Sequence, residues 1–159
     1  MTVRIYTARV SYGGADRLDI TRKSAKGYGL AFAPSWSLLR RFLNVRNAAD
    51  ALEREAVKFA AMGDEAGAAA MRRQVTAAMD GAWEEYVPAF RAEMVRSYIK
   101  QRTSWEWLLT QVETSTLCCY CTDPERCHRT LLARVILPRL GAVFCGEREA
   151  AEQRRGGVR

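Results

Sequence analysis

The sequence predicts an α/β fold: one domain with a mostly parallel sheet flanked by helices. Three observations predict it. The chain opens on "VRIYTARV", rich in β-branched and aromatic residues. A second run of strand character, "TSTLCCYC", is apolar enough to be buried on both faces, as strands of parallel sheets are. Between that run and a last one, "AVFC", lies a helical segment, and strand, helix, strand in sequence implies a parallel crossover.

After the opening strand, "SYGGAD" is a turn signal and "LDIT" a second short strand. "WSLLRRFLNV" places Trp36, Leu39, Leu43 and Phe42 at helical spacing, with Ser35 as N-cap. Residues Ala48 to Asp80 are Ala-rich with one break at Gly63 and Asp64, which reads as a helical hairpin inserted into the domain. In "WEEYVPAFRAEMVRSYI", Trp83, Tyr86, Val87, Phe90, Met94 and Ile99 form the apolar side of an amphipathic helix, with Pro88 near its start. "TSWEWLLTQV" reads as another helix, capped by Thr103 or Ser104. "DPER" carries a helix-start signature: Asp123 as N-cap, Pro124 at the first helical position, Glu125 at the positive end of the dipole. That helix runs through Leu131, Leu132, Val135 and Ile136 and ends at Gly141. The domain spans residues 1–148 with its insertion at 48–80, and 149–159 reads as a flexible tail.

A chain of 159 residues suffices for one core without staples. No apolar run approaches the roughly 20 residues of a membrane span, and the start lacks the apolar segment of a signal peptide, so the expectation is a soluble, cytoplasmic protein. Five cysteines with no secretory signal are then free thiols or thiolates. The formal charge of +7 comes almost wholly from arginine, with Lys23, Lys26, Lys58 and Lys100 the only lysines. A basic, Arg-rich protein suits phosphate or carboxylate partners, although arginine on helices is also an ordinary solvated face.

Four cysteines and the single histidine fall within residues 116–141. In a parallel crossover the strand's carboxyl end and the helix's amino end share one crevice, where ligands of open α/β sheets bind. Cys121, Asp123, Cys127, His128 and Arg129 belong there, while Cys118 and Cys119 equally suit plain packing. A phosphatase pattern, Cys followed by five residues and Arg, is not met, because Cys127 occupies the Arg position. A metal reading takes Cys119 or Cys121 with Cys127 and His128. It is set behind because consecutive helical residues point about 100° apart and no second ligand pair exists elsewhere, so no residue is assigned to metal. The third reading makes His128 an acid, base or hydrogen-bond donor, with Cys121 nearby and Arg129 as an anion clamp.

At these residues, "LCCYCTDPERCHRTLLARVI", the sequence resembles the domain of unknown function 488 family (DUF488), whose hallmark is a Cys-bearing strand end, a short turn, then Cys-His-Arg on an apolar helix. "IYTARV", "DITR" at Asp19 to Arg22, "FAPS" at Phe32 to Ser35, "WEEY" at Trp83 to Tyr86 and "GE" at Gly146 and Glu147 extend the resemblance over most of residues 3–148. It implies Cys127, His128 and Arg129 as a signature, with Asp19, Arg22, Trp83, Tyr86 and Glu147 in the same pocket. The second strand departs from the family's Asp-Val-Arg, reading Asp19, Ile20, Thr21, Arg22, and the Ala-rich insertion departs from shorter members. The expected function is binding, with processing left open, of a nucleotide-like or nucleic-acid phosphate ligand: His128 and Cys121 catalytic, Arg129, Cys127, Asp19, Arg22, Trp83, Tyr86 and Glu147 holding the ligand. The alternative is a noncatalytic nucleic-acid-binding module whose cysteines are structural or hold zinc. No cofactor and no oligomeric state are assigned.

Overall fold

The computed structural model describes residues 2–149, so all but the first residue of the expected tail at 149–159 lies outside the described residues. Among the described residues there are two compact units, one of residues 2–33 with 94–149 and one of Pro34–Glu93.

The first unit is a four-stranded, all-parallel sheet with helical segments, an α/β fold. Its strands are β1 (Arg4–Arg9), β2 (Arg17–Asp19), β3 (Thr114–Cys119) and β4 (Val143–Arg148), in the spatial order β2-β3-β1-β4. Register pairs Arg4 with Thr114 through Arg9 with Cys119, and Leu18 with Leu117. Because every pairing is parallel, the carboxyl ends of all four strands lie along one edge. β3 is buried from Ser115 to Cys119, which is why it reads as an unbroken apolar and thiol run and not as an alternation.

The core of this unit is Val3, Ile5, Leu18, Ile20, Leu117 and Leu132, with Trp105 and Phe32 edge to face at 4.8 Å. Gly29 lets the turn over Gly27–Phe32 lie against the end of β2: a Cβ there would sit 2.0 Å from the Asp19 carbonyl oxygen. The short helix at Arg102–Glu106 has Gln101 as N-cap with no side-chain cap bond, so neither Thr103 nor Ser104 caps it. It runs on as a wider π-type turn over Trp107–Gln111.

The second unit is an antiparallel helical pair, α1 (Trp36–Ala61) and the part of α2 (Glu65–Lys100) up to Glu93. Ser35 caps α1, its hydroxyl accepting from the Leu38 N–H at 3.2 Å, and the Glu93 carboxylate accepts from the Ser35 N–H at 2.8 Å. The turn falls at Gly63 and Asp64, Gly63 taking the left-handed φ of 86° that glycine adopts without strain. The buried stripe of α1 is Leu38, Phe42, Ala49 and Ala56. Trp36 is exposed instead, with Arg40 over its ring at 5.8 Å, so an Arg stem covers what the spacing assigns to the core. Pro88 does not start a new helix, because α2 runs through it. Phe90 and Met94 are buried as expected, but Ile99 is 71% exposed, since the buried positions continue to Ser97 and leave Ile99 on the other face.

Candidate functional site

The helix start expected at Asp123 lies further along. Residues 120–127 form an irregular loop, and the helical run begins with α3' (His128–Leu131), capped by Cys127 in extended conformation, then continues to Leu140. Asp123 instead accepts from the Glu125 N–H at 2.9 Å and pairs with Arg126 at 3.5 Å. Its side chain thus closes a local turn, the competing use of an Asp before Pro.

This loop carries the chain from the end of β3 back under itself, so that Cys119, Cys121 and Cys127 converge: their sulfurs all lie within 4.8 Å of one another, Cys119 to Cys121 at 3.6 Å. Cys119 and Cys127 are buried and Cys121 is half-exposed. Because Cys127 is extended and not helical, the argument that it and His128 diverge by a helical step does not apply. His128 Nδ1 faces Cys119 Sγ at 3.7 Å, while Nε2 lies 2.9 Å from the Ile20 carbonyl oxygen. A carbonyl only accepts, so Nε2 carries the proton and the neutral ring turns its Nδ1 lone pair toward Cys119. Burial pushes the His128 pKa down and keeps the ring neutral.

The three thiols differ electrostatically. Hydrogen bonds from Cys121 and Cys127 favour the thiolate on Cys119, against the opposing effect of burial. The bond to Cys119 and burial push Cys121 up against the bond from Cys127, and burial pushes Cys127 well up. Cys118 points elsewhere and is fully buried; burial pushes its thiol to about 11, which makes it an inert core group.

Arg129 is the largest charged group in the interior. Its guanidinium donates to Glu147 Oε1 at 2.8 Å, to the Cys121 carbonyl at 2.8 Å and to Cys127 Sγ at 3.5 Å, and its Nε has no hydrogen-bond partner. Thr7 donates to the other Glu147 oxygen at 2.5 Å. The Cys-His-Arg arginine therefore ties β4, the loop and the thiols together from behind.

Asp19, at the end of β2, accepts from the Thr21 N–H at 2.9 Å and the Ser24 hydroxyl at 2.6 Å. Burial works against its charge, yet these bonds and Arg17 hold its carboxyl below the usual range. They fix the turn that presents the Ile20 carbonyl to His128. Arg22 donates to the Ala33 carbonyl at 3.3 Å. The Ser24 hydroxyl also meets the Tyr120 hydroxyl at 3.1 Å, linking the loops after β2 and β3; Tyr120 is 49% exposed and Lys23 is exposed beside Ser24. Trp83 and Tyr86 belong to the helical unit, stacked at 5.2 Å with Tyr86 buried and Phe42 tilted against it. Sequence reasoning passed over Tyr120, Thr7 and the Ile20 carbonyl. For Cys119 a signal existed, since strand alternation puts Cys119 and Cys121 on one side and Cys118 on the other.

Fold and site together define a parallel α/β protein with a thiol, imidazole and guanidinium cluster at the carboxyl edge of its sheet. The family described as the active DUF488-N3 subclade matches residues 64–140, which include the whole loop and its Cys-His-Arg, and this match supports assigning the chain to the DUF488 family. No curated protein and no solved structure matches it. No helix among the described residues is long and apolar enough to cross a membrane.

Proposed function

We propose that the chain binds a nucleotide-like or nucleic-acid phosphate ligand at the carboxyl edge of the sheet and processes it there. One observation carries this reading: a half-exposed thiol, Cys121, stands at that edge beside an exposed aromatic ring, Tyr120, and the loop cation Lys23. An exposed ring with a lysine on the facing loop suits a base and its phosphate better than a bare anion, because every base has a face to stack. The carboxyl edge of a parallel sheet is where such ligands bind in open α/β folds. The matched family's description as an active subclade agrees with turnover. Cys121 is the thiol nearest the ligand, and His128 acts on it through Cys119. Arg129, Cys127, Asp19 and Glu147 hold this edge in shape, Arg22 lies on the same loop as Lys23, and Trp83 and Tyr86 keep the aromatic packing of the helical unit.

The test is a fluorescence titration with a single-stranded oligonucleotide, a nucleoside monophosphate and inorganic phosphate. Tyr120→Ala is expected to weaken the first two roughly tenfold or more and to leave phosphate binding unchanged. Lys23→Ala is expected to weaken all three and to lower the salt dependence of oligonucleotide binding. Equal affinity of wild type and both variants would overturn the proposal.

A further inference from the structure

We propose that Cys119, Cys121 and Cys127 form a binding site for a soft divalent cation, zinc above all. A tetrahedral zinc with three thiolate ligands at about 2.3 Å separates its sulfurs by about 3.8 Å. Here the sulfurs lie within 4.8 Å of one another and one pair is already at 3.6 Å. A cation settling between them asks the sulfurs to close by no more than about 1 Å.

The surroundings are those of a metal site. His128 Nε2 is tied to the Ile20 carbonyl, and a ring nitrogen anchored on a backbone oxygen is the usual arrangement of a histidine whose other nitrogen serves a metal. Its Nδ1, 3.7 Å from Cys119 Sγ, faces the cluster from the side. The Arg129 guanidinium donates to Cys127 Sγ at 3.5 Å. Three thiolates and a divalent ion leave one net negative charge, which that guanidinium is placed to offset. Thiolate and imidazole donors select zinc over magnesium or calcium, which take oxygen ligands. Binding displaces the thiol protons to solvent, so affinity rises with pH. Core packing alone would not explain three sulfurs converging while Cys118, one residue away on β3 and equally buried, takes no part in the cluster.

The inference goes beyond the ligand proposal and is read without any nucleotide, so either can fail alone. A zinc-bound Cys121 is unavailable as a free nucleophile, whereas binding through Tyr120 and Lys23 is untouched.

The experiment uses the full chain, reduced and stripped by chelator, titrated with Co²⁺ and then Zn²⁺. One Co²⁺ per chain with a sulfur-to-cobalt charge-transfer band, displaced by Zn²⁺, is expected. Cys121→Ser is expected to weaken Co²⁺ at least tenfold and reduce the band, and Cys145→Ser, which alters the exposed thiol of β4, to change neither. A measurement on wild type covers the case in which Cys121→Ser misfolds: Zn²⁺ should slow alkylation of Cys121 while Cys145 reacts at its former rate. No uptake of Co²⁺, a Co²⁺ spectrum without the charge-transfer band, wild-type affinity in Cys121→Ser, or unprotected Cys121 would each overturn the site.

Discussion

The chain contains two Arg–Glu pairs of nearly equal length in opposite surroundings. In the helical unit Arg72 and Glu53 meet at 3.1 Å with side chains 46% and 43% exposed. In the sheet unit Arg129 and Glu147 meet at 2.8 Å, and although Glu147 is 37% exposed, the Arg129 side chain is only 1% exposed, so the contrast lies in the arginine. Water does most of the work of the first pair, so its formation changes little. The second takes a guanidinium out of water, a cost that apolar side chains of the same volume would avoid. A sheet that needed only stability has no use for Arg129. It stands instead beside three thiols and an imidazole, which is the observation behind the function proposed for the carboxyl edge.

The largest expected effect breaks that comparison open. Glu147→Ala strands the buried guanidinium and is expected to cost about 3 kcal/mol or more, while Glu53→Ala stays within about 0.5 kcal/mol. Chemical denaturation of both variants checks the difference; equal costs would mean that Arg129 finds compensation from the thiols alone.

A second test concerns acid. Burial raises the Asp16 pKa, but hydrogen bonds from Tyr12 and Thr116, both at 2.8 Å, and the Arg148 charge outweigh it, so the folded pKa is lowered. The unfolded chain then binds more protons below about pH 4, and stability falls as pH drops through that range. Asp19 is lowered too and adds to the same loss. Asp16→Asn should flatten the acid limb of a pH–stability curve, and an unaltered limb would remove Asp16 from the account.

The two helix-start signatures give the smaller effects. Ser35→Ala removes a working N-cap and is expected to cost about 1 kcal/mol. Asp123→Ala removes only an exposed turn bond and is expected to stay under about 0.5 kcal/mol. Thermal melts of the two variants rank them, and the reverse order would contradict the loop described between Cys121 and Cys127.

These residues also show how far the sequence could be read. β1, β3, β4, the break at Gly63 and the Ser35 cap were legible because each rests on local chemistry: a period, a φ angle, one hydroxyl. The Asp123 signature misled because an Asp side chain bonds a nearby N–H equally well in a turn or at a cap, and only the path of the chain decides. Trp36 and Ile99 misled because spacing gives a stripe but not its rotation about the helix axis. Arg129 was legible as a member of the cluster and illegible as an interior residue. Nothing local says that an arginine will meet Glu147, eighteen residues on, and lose its water. The convergence of Cys119, Cys121 and Cys127 was hidden for the same reason: it depends on a loop that returns, and a helix was expected there.

Engagement of the ligand at the sheet's carboxyl edge is tested by a residue-resolved NMR titration with a single-stranded oligonucleotide. The amides expected to move first lie in residues 20–26 and 119–129, with those around Arg72 and Arg73 unmoved. Shifts confined to the helical unit, with both edge loops silent, would contradict it and make the chain a nucleic-acid-binding module that uses its helices.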